Sequence, residues 1–373
     1  MIPICEPFLG GKELEYVTDC LKTNWISSQG KYVSEFEQRF AGYCDAKYGV
    51  STTNGTTALH LALASSGIGP GDEVIVPAFT MIATVFAVIY TGAKPILVDA
   101  ELETGNIDPH KIEEKITART KVILPVHIYG HPCDMDPVMK IAKKHNILVV
   151  EDAAEAHGAE YKGKKVGGIG HASCFSFYAN KIITSGEGGM VVTSDEKIAE
   201  KARSLKDLAH AKEKRFLHTD LAFNYRMTNI QAAIGLAQFE RINELVEMRR
   251  HNARLYNSLL EDMEGLRPPV EKEWAKNVYW MYSGLTKDEF GMSRDELMER
   301  LRDKGVDTRT FFIPMHNQPV FRDRGLFEGE SYPMAEELYQ RGLLLPSGSG
   351  LTRDQIEYVC TIIKEIRGTI QSG

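Results

Sequence analysis

Lys181 and Asp152 are the two residues of this 373-residue chain whose types and settings point most directly to chemistry. Lys181 closes the run Cys174-Phe175-Ser176-Phe177-Tyr178-Ala179-Asn180-Lys181 and leads into Ser185-Gly186-Glu187-Gly188-Gly189. Asp152 follows the apolar run Ile147-Leu148-Val149-Val150 and sits in Glu151-Asp152-Ala153-Ala154-Glu155-Ala156-His157. A lone lysine after an apolar run is ordinarily a solvated charge. An acid at the end of one strand, a lysine after another and a glycine-rich continuation suggest instead a pyridoxal phosphate (PLP) site. There the amine forms a Schiff base with the aldehyde and the carboxylate pairs with the pyridinium nitrogen.

Other residues suit the same cofactor. Asn54-Gly55-Thr56-Thr57-Ala58-Leu59 lies between a predicted strand and a predicted helix. Gly55 would let the backbone approach closely, and the Thr56 and Thr57 hydroxyls with the first-turn N–H groups could bind a phosphate. Taken alone the segment is an ordinary N-cap. Ser176, five residues before Lys181, could bring a further hydroxyl. Glu155 could orient the ring oxygen or a water, or be only a helix-start charge. Gly186, Gly188 and Gly189 permit close backbone approach around the lysine loop. His127, His131 and Cys133 look like metal ligands, but no second Cys/His pair completes a site, so no metal is expected. The stretch from Lys206 to His218 is locally basic; it is either a solvated face or, through Lys214 and Arg215, a contact for a substrate diphosphate. A dinucleotide-dependent oxidoreductase is the rival that an alternating pattern invites, yet neither GxGxxG nor GxxxxGK[ST] occurs where it would be needed.

The elements that must carry these residues follow a βα rhythm. Strands are predicted over 48–51, 73–76, 94–98, 122–126, 147–150, 172–176 and 189–193, and helices over 57–66, 82–90, 109–116 and 135–145. This predicts an α/β fold with a mostly parallel sheet, its ligands bound beyond the carboxyl ends of the strands. One long helix is expected over 229–248, joining a large domain (1–240) to a smaller C-terminal α/β domain (241–373) that ends in a helix over 353–367. No Ser/Gly-rich linker divides the two, so they should pack tightly. The net charge of −7 argues against general nucleic-acid binding. Six cysteines without a CxxC pair fit reduced thiols in a cytoplasmic protein, and neither a signal peptide nor a membrane span is expected.

Together these segments resemble the DegT/DnrJ/EryC1/StrS family of PLP-dependent nucleotide-sugar aminotransferases, which has the type I, aspartate-aminotransferase-like fold. The resemblance covers nearly the whole length. It also takes in Trp25-Ile26-Ser27 with Gly30 and Phe36-Glu37, Pro77-Ala78-Phe79-Thr80, and Asn224-Tyr225-Arg226-Met227. It implies a homodimer with two shared active sites and assigns the cofactor aldehyde to Lys181 and the pyridinium to Asp152. The phosphate falls to Thr56, Thr57 and Ser176, and Asn224 reaches in from the partner subunit. An aromatic residue often stacks on the cofactor ring in this family, where this chain has Met81, whose thioether could serve instead. Some relatives carry histidine in place of the lysine and are dehydratases; this chain keeps Lys181. The segments 214–221, 308–316 (ending in His316) and 345–348 are similar to the GDP-perosamine synthases of the family. That similarity implies L-glutamate as donor and GDP-4-keto-6-deoxymannose as acceptor, with Lys214, Arg215 and His316 as substrate contacts. UDP- or dTDP-linked keto sugars, amination at C3, and a non-catalytic regulatory protein on the same fold are the alternatives.

Overall fold

The computed structural model describes residues 1–214 and 216–371, with the side chains of 370 and 371 left aside. Two helices, α1 (Glu13–Thr23) and α2 (Lys31–Tyr43), precede the βα units. These run β1 (Tyr48–Thr52), α3 (Gly55–Ser65), β2 (Glu73–Pro77), α4 (Ile82–Tyr90), β3 (Lys94–Val98), β4 (Thr120–Ile123), α5 (Met135–His145) and β5 (Leu148–Asp152). The short strands β6 (Glu160–Tyr161) and β7 (Lys164–Lys165), then β8 (Ala172–Ser176), β9 (Gly189–Thr193) and α6 (Glu196–Lys206) complete this half.

A seven-stranded sheet results, in the order β1-β9-β8-β5-β4-β2-β3. Only β9 runs antiparallel to its neighbours. Residues alternate between its faces. Val74, Val76, Val122, Leu124 and Val150 face one core with Leu59 and Leu63 of α3. Ile75, Ile123 and Val149 face the other with Met135 and Val138 of α5. Strands apolar on both faces are what a sheet covered by helices on each side requires.

The second half begins with α7 (Asn229–Phe239) and α8 (Ile242–Leu259). It continues through β10 (Leu266–Arg267), β11 (Ala275–Lys276), β12 (Tyr282–Thr286), α9 (Arg294–Asp303) and β13 (Arg309–Thr310). It closes with α10 (Pro319–Arg322), α11 (Pro333–Arg341), β14 (Gly342–Leu345) and α12 (Arg353–Gln371). A four-stranded antiparallel sheet, β10-β12-β14-β13, packs its own core of Tyr256, Leu297, Leu301, Ile356 and Ile363. The halves are joined in several ways. Ile2 pairs with Val306, β11 pairs with β6, and Phe79 and Tyr129 stack against Phe311 and Phe312.

Two expected helices differ. The helix predicted over 229–248 is broken between Phe239 and Ile242, where Arg241 leaves helical backbone geometry (φ −110°, ψ 10°). The apolar pattern continues across the break because α7 is buried on nearly all sides and α8 keeps a buried face of Leu245, Val246, Arg249, Asn252, Ala253 and Tyr256. The helix predicted over 109–116 is two 3₁₀ turns, Pro109–Lys111 and Glu113–Lys115. Ile116 then becomes extended to lead toward β4. The strand predicted over 122–126 ends at Ile123, though the Val126–Asp152 bridge continues its pairing with β5. Among the described residues no helix is long and apolar enough to cross a membrane.

Candidate active site

Asp152 is the last residue of β5 and is buried. Its Oδ2 accepts the hydroxyl of Thr84 at 2.8 Å, and Thr84 meets the Thr80 hydroxyl at 2.9 Å. Its Oδ1 accepts the Ala154 N–H at 3.2 Å. Burial pushes this carboxyl above the ordinary aspartate range, while Thr84 and Ala154 oppose the shift.

The neighbouring Glu151 occupies the other face of the strand. It accepts the N–H groups of Gly167, Ile169 and Gly170 and the Ser173 hydroxyl. His127 Nε2 lies 3.0 Å from Glu151, while His127 Nδ1 accepts the Cys133 N–H at 3.0 Å. An accepting Nδ1 puts the imidazole proton on Nε2, so His127 is the donor to Glu151. Burial disfavours the Glu151 charge, but His127 and the amides outweigh it and hold the carboxyl below its ordinary range. His127, His131 and Cys133 thus hold loops. Among the described residues no group of three His, Cys, Asp or Glu side chains is arranged to hold a metal ion.

Lys181 lies in the connection from β8 to β9, at the same carboxyl-end rim as Asp152. Its Nζ is 3.8 Å from Glu155 Oε1 and 3.6 Å from the centroid of the Trp280 ring. Burial makes Lys181 a weaker base than an exposed lysine, although Glu155 and Asp152 pull the other way. Glu155 is fixed by the Tyr129 N–H at 2.8 Å, and burial raises its carboxyl above the ordinary glutamate range while the Lys181 charge opposes the shift.

The third part of the site is the N-terminus of α3. Asn54 caps it by accepting the Thr57 N–H at 2.9 Å, and the Thr57 hydroxyl reciprocates at the Asn54 backbone. The hydroxyl of Thr57 is thus committed to the cap, and this residue is not in the cavity lining. The first-turn N–H groups of Gly55 and Thr56 have no intrahelical acceptor, as at any helix start. A Cβ on Gly55 would come within 2.8 Å of the Ser176 Cβ, so only glycine brings this turn against β8. Likewise a Cβ on Gly189 would lie 2.2 Å from the Asn54 carbonyl oxygen.

Gly55, Thr56, Met81, Asp152, Glu155, Ser176 and Lys181 all line one cavity of about 420 Å³. PLP fits this donor set. The helix start with the Thr56 and Ser176 hydroxyls would hold its phosphate, Lys181 its aldehyde and Asp152 its ring nitrogen. Met81 lines the cavity with its thioether accepting the Ala83 N–H at 3.0 Å. The remaining expected residues lie elsewhere in the single chain. Asn224 is exposed and accepts a hydrogen bond from Arg226 at 2.9 Å. Lys214 is exposed, and Arg215 lies outside the described residues. His316 is buried, with Nε2 2.8 Å from Glu336 Oε1, and is not in the cavity lining. The sequence reading passed over Thr84, Trp280, Asn180 and Phe312. Thr80 and Thr84, four residues apart at a helix start, were a usable signal; Trp280 carried none, being far from Lys181 along the chain.

A lysine and a carboxylate at neighbouring strand ends of a largely parallel sheet, beside an open helix N-terminus, define a PLP-dependent transferase of the aspartate-aminotransferase type. The model of the DegT/DnrJ/EryC1/StrS aminotransferase family matches residues 7–364, and the chain belongs to that family. The GDP-perosamine synthase of Escherichia coli O157:H7 is 44% identical over 364 residues, covering 98% of each chain. The crystal structure of S. venezuelae DesV in complex with a ketimine intermediate superposes with a TM-score of 0.89 at 36% identity, covering 95% of this chain and 94% of that one. The PMP form of Spr1654, a putative sugar aminotransferase of Streptococcus pneumoniae, gives a TM-score of 0.93 at 27% identity over 100% and 98% of the two chains.

Proposed function

We propose that this protein moves the amino group of L-glutamate to C4 of a nucleotide-linked 4-keto-6-deoxy sugar, with GDP-4-keto-6-deoxymannose as substrate and GDP-perosamine as product. One observation carries the reading: the 44% identity to a GDP-perosamine synthase spans 98% of both chains, around a cavity holding both Lys181 and Asp152.

When bound, the cofactor supplies an aldehyde that exchanges amines and a ring that draws electrons from the carbon being deprotonated. Lys181 takes the α-proton of glutamate and, in the second half of the cycle, delivers a proton to C4 of the sugar. Its burial enlarges the neutral, basic fraction near pH 7. Asp152, steadied by Thr84, balances positive charge on the ring nitrogen. Glu155 stands 3.8 Å from the Lys181 ammonium, with a carboxyl that burial raises above its ordinary range. The donor leaves as 2-oxoglutarate, and the amino group replaces the C4 oxygen.

The same proposal includes a homodimer with two shared sites, Asn224 entering from the partner, and a cytoplasmic location. Lys214 and Arg215 are its contacts for the diphosphate, and His316, whose buried Nδ1 lacks a partner among the described residues, is its contact for the sugar nucleotide. Residues 1–240 form the large domain and 241–373 the small one, a division supported by the helix break after Phe239.

The test is mass spectrometry of GDP-4-keto-6-deoxymannose incubated with the protein, PLP and L-glutamate. The expected result is a glutamate-dependent mass change from ketone to amine. No change there, with amination of a UDP- or dTDP-linked keto sugar, would overturn the GDP assignment and keep the chemistry.

A further inference from the structure

Trp280 belongs to the second half of the chain, yet its ring face is the nearest partner of the Lys181 ammonium. The 3.6 Å from Nζ to the ring centroid is well inside the ~6 Å reach of a cation–π contact. Glu155 Oε1, at 3.8 Å, lies beyond hydrogen-bond length. Burial also raises its carboxyl above the ordinary range, so its charge is a costly partner for the lysine. The ring's attraction does not titrate.

The ring is also held in place. Its Nε1–H donates to the carbonyl of Asn180, the residue before Lys181, at 2.8 Å. Its backbone carbonyl accepts from the buried Arg249 at 2.6 Å, and Arg249 Nε donates to Ser349 at 3.0 Å. Tyr129 stacks on it at 6.3 Å between centroids. Turning the indole would break the tie to the lysine loop.

We propose that Trp280 is a positioning residue, its face being the seat of the Lys181 ammonium whenever the lysine is not covalently engaged. The second half of the chain thereby sets where the amine waits and how readily it gives up its proton. The proposal rests on reading Lys181 as the reacting lysine. Glu155, Asp152 and the Cys5 thiol act on Lys181 in favour of its charge, and Arg249 acts against it. His157 is neutral at working pH, because burial, and then the Lys181 charge, lowers it to about 3. Against that background, removing the ring should make Lys181 lose its proton at lower pH.

The test uses cofactor-free protein. Acetylation of Lys181 by acetic anhydride is followed across pH by peptide mass spectrometry in wild type, Trp280→Phe and Trp280→Leu. The reactivity midpoint should fall by about one unit in Trp280→Leu and by clearly less in Trp280→Phe, which keeps a ring face. With PLP bound, kcat should fall about tenfold in the Leu variant with KM within about twofold, and Phe should recover most of the loss. Should the Leu variant not fold, Trp280→Met carries the same comparison without a ring. A midpoint unchanged in the ring-less variant overturns the proposal and leaves the aminotransferase reading standing. A shift in apoprotein that aminates no keto sugar supports Trp280 as the seat and removes the proposed function instead.

Discussion

The buried Asp152 carboxyl is met by two donors that favour its charged form, the Thr84 hydroxyl and the Ala154 amide. Thr84→Val keeps the shape of the side chain and removes one donor, so it isolates that contribution. Loss of a hydrogen bond to a charged group should cost about 1.5–3 kcal/mol of stability in the cofactor-free protein at pH 7. The sign with pH follows. Burial has already raised the carboxyl and without Thr84 it rises further, so the deficit is full while the folded carboxyl is ionised in both proteins and shrinks as pH falls through the variant's raised value and then the wild type's. Urea unfolding at pH 7 and near pH 4 should therefore show the penalty at the first and much less at the second; equal curves for variant and wild type at pH 7 would remove Thr84 from this role. Lys181 and Asp152 were legible because each ends or follows an apolar run that the sequence displays. Trp280 was not, because it meets Lys181 only once distant parts of the chain are brought together, and the Thr80–Thr84 spacing signals a polar helix start without naming Asp152 as its partner.

At the scale of elements, the start of α3 divides its hydroxyls between folding and binding. Thr57 completes a reciprocal cap with Asn54, whereas Thr56 lines the cavity. Thr57→Val should cost about 0.5–2 kcal/mol of stability, with cofactor affinity changed less than about twofold. Thr56→Val should weaken cofactor binding about tenfold and leave stability nearly unchanged. Fluorescence titration with PLP and thermal melts of both variants separate the two, and a reversed pattern would return the phosphate to Thr57. The sequence offers both threonines to the phosphate because spacing cannot say which hydroxyl turns back to its own backbone. Element boundaries show the same limit. Most strands were visible as apolar runs, but the break at Arg241 and the 3₁₀ turns after Asp108 were not, because apolar residues can keep a helical period while the chain changes direction.

For the whole molecule, assembly bears directly on the site. On α1, Leu14 and Leu21 lie seven residues apart and hence on one face, 80% and 58% exposed, and Trp25 just beyond is 55% exposed. Scattered exposed leucines need no explanation, but a row of them beside an exposed tryptophan suits a covered surface. Asn224 is exposed and faces no cofactor residue of its own chain among those that line the cavity, as a residue meant for a partner's site would be. This was readable only through family resemblance, since no periodicity in one chain encodes what a second copy supplies. Complementation tests it. Lys181→Ala and Asn224→Ala should each be nearly inactive alone. Unfolded together and refolded as a mixture, half the dimers would be mixed, and one of the two sites in each would draw an intact lysine and an intact asparagine. Activity should return to about a quarter of wild type. Recovery requires the two residues to act across the subunit boundary. A mixture no more active than its parts would place Asn224 and Lys181 in sites built from one chain, and a fully active Asn224→Ala would take Asn224 out of the site altogether.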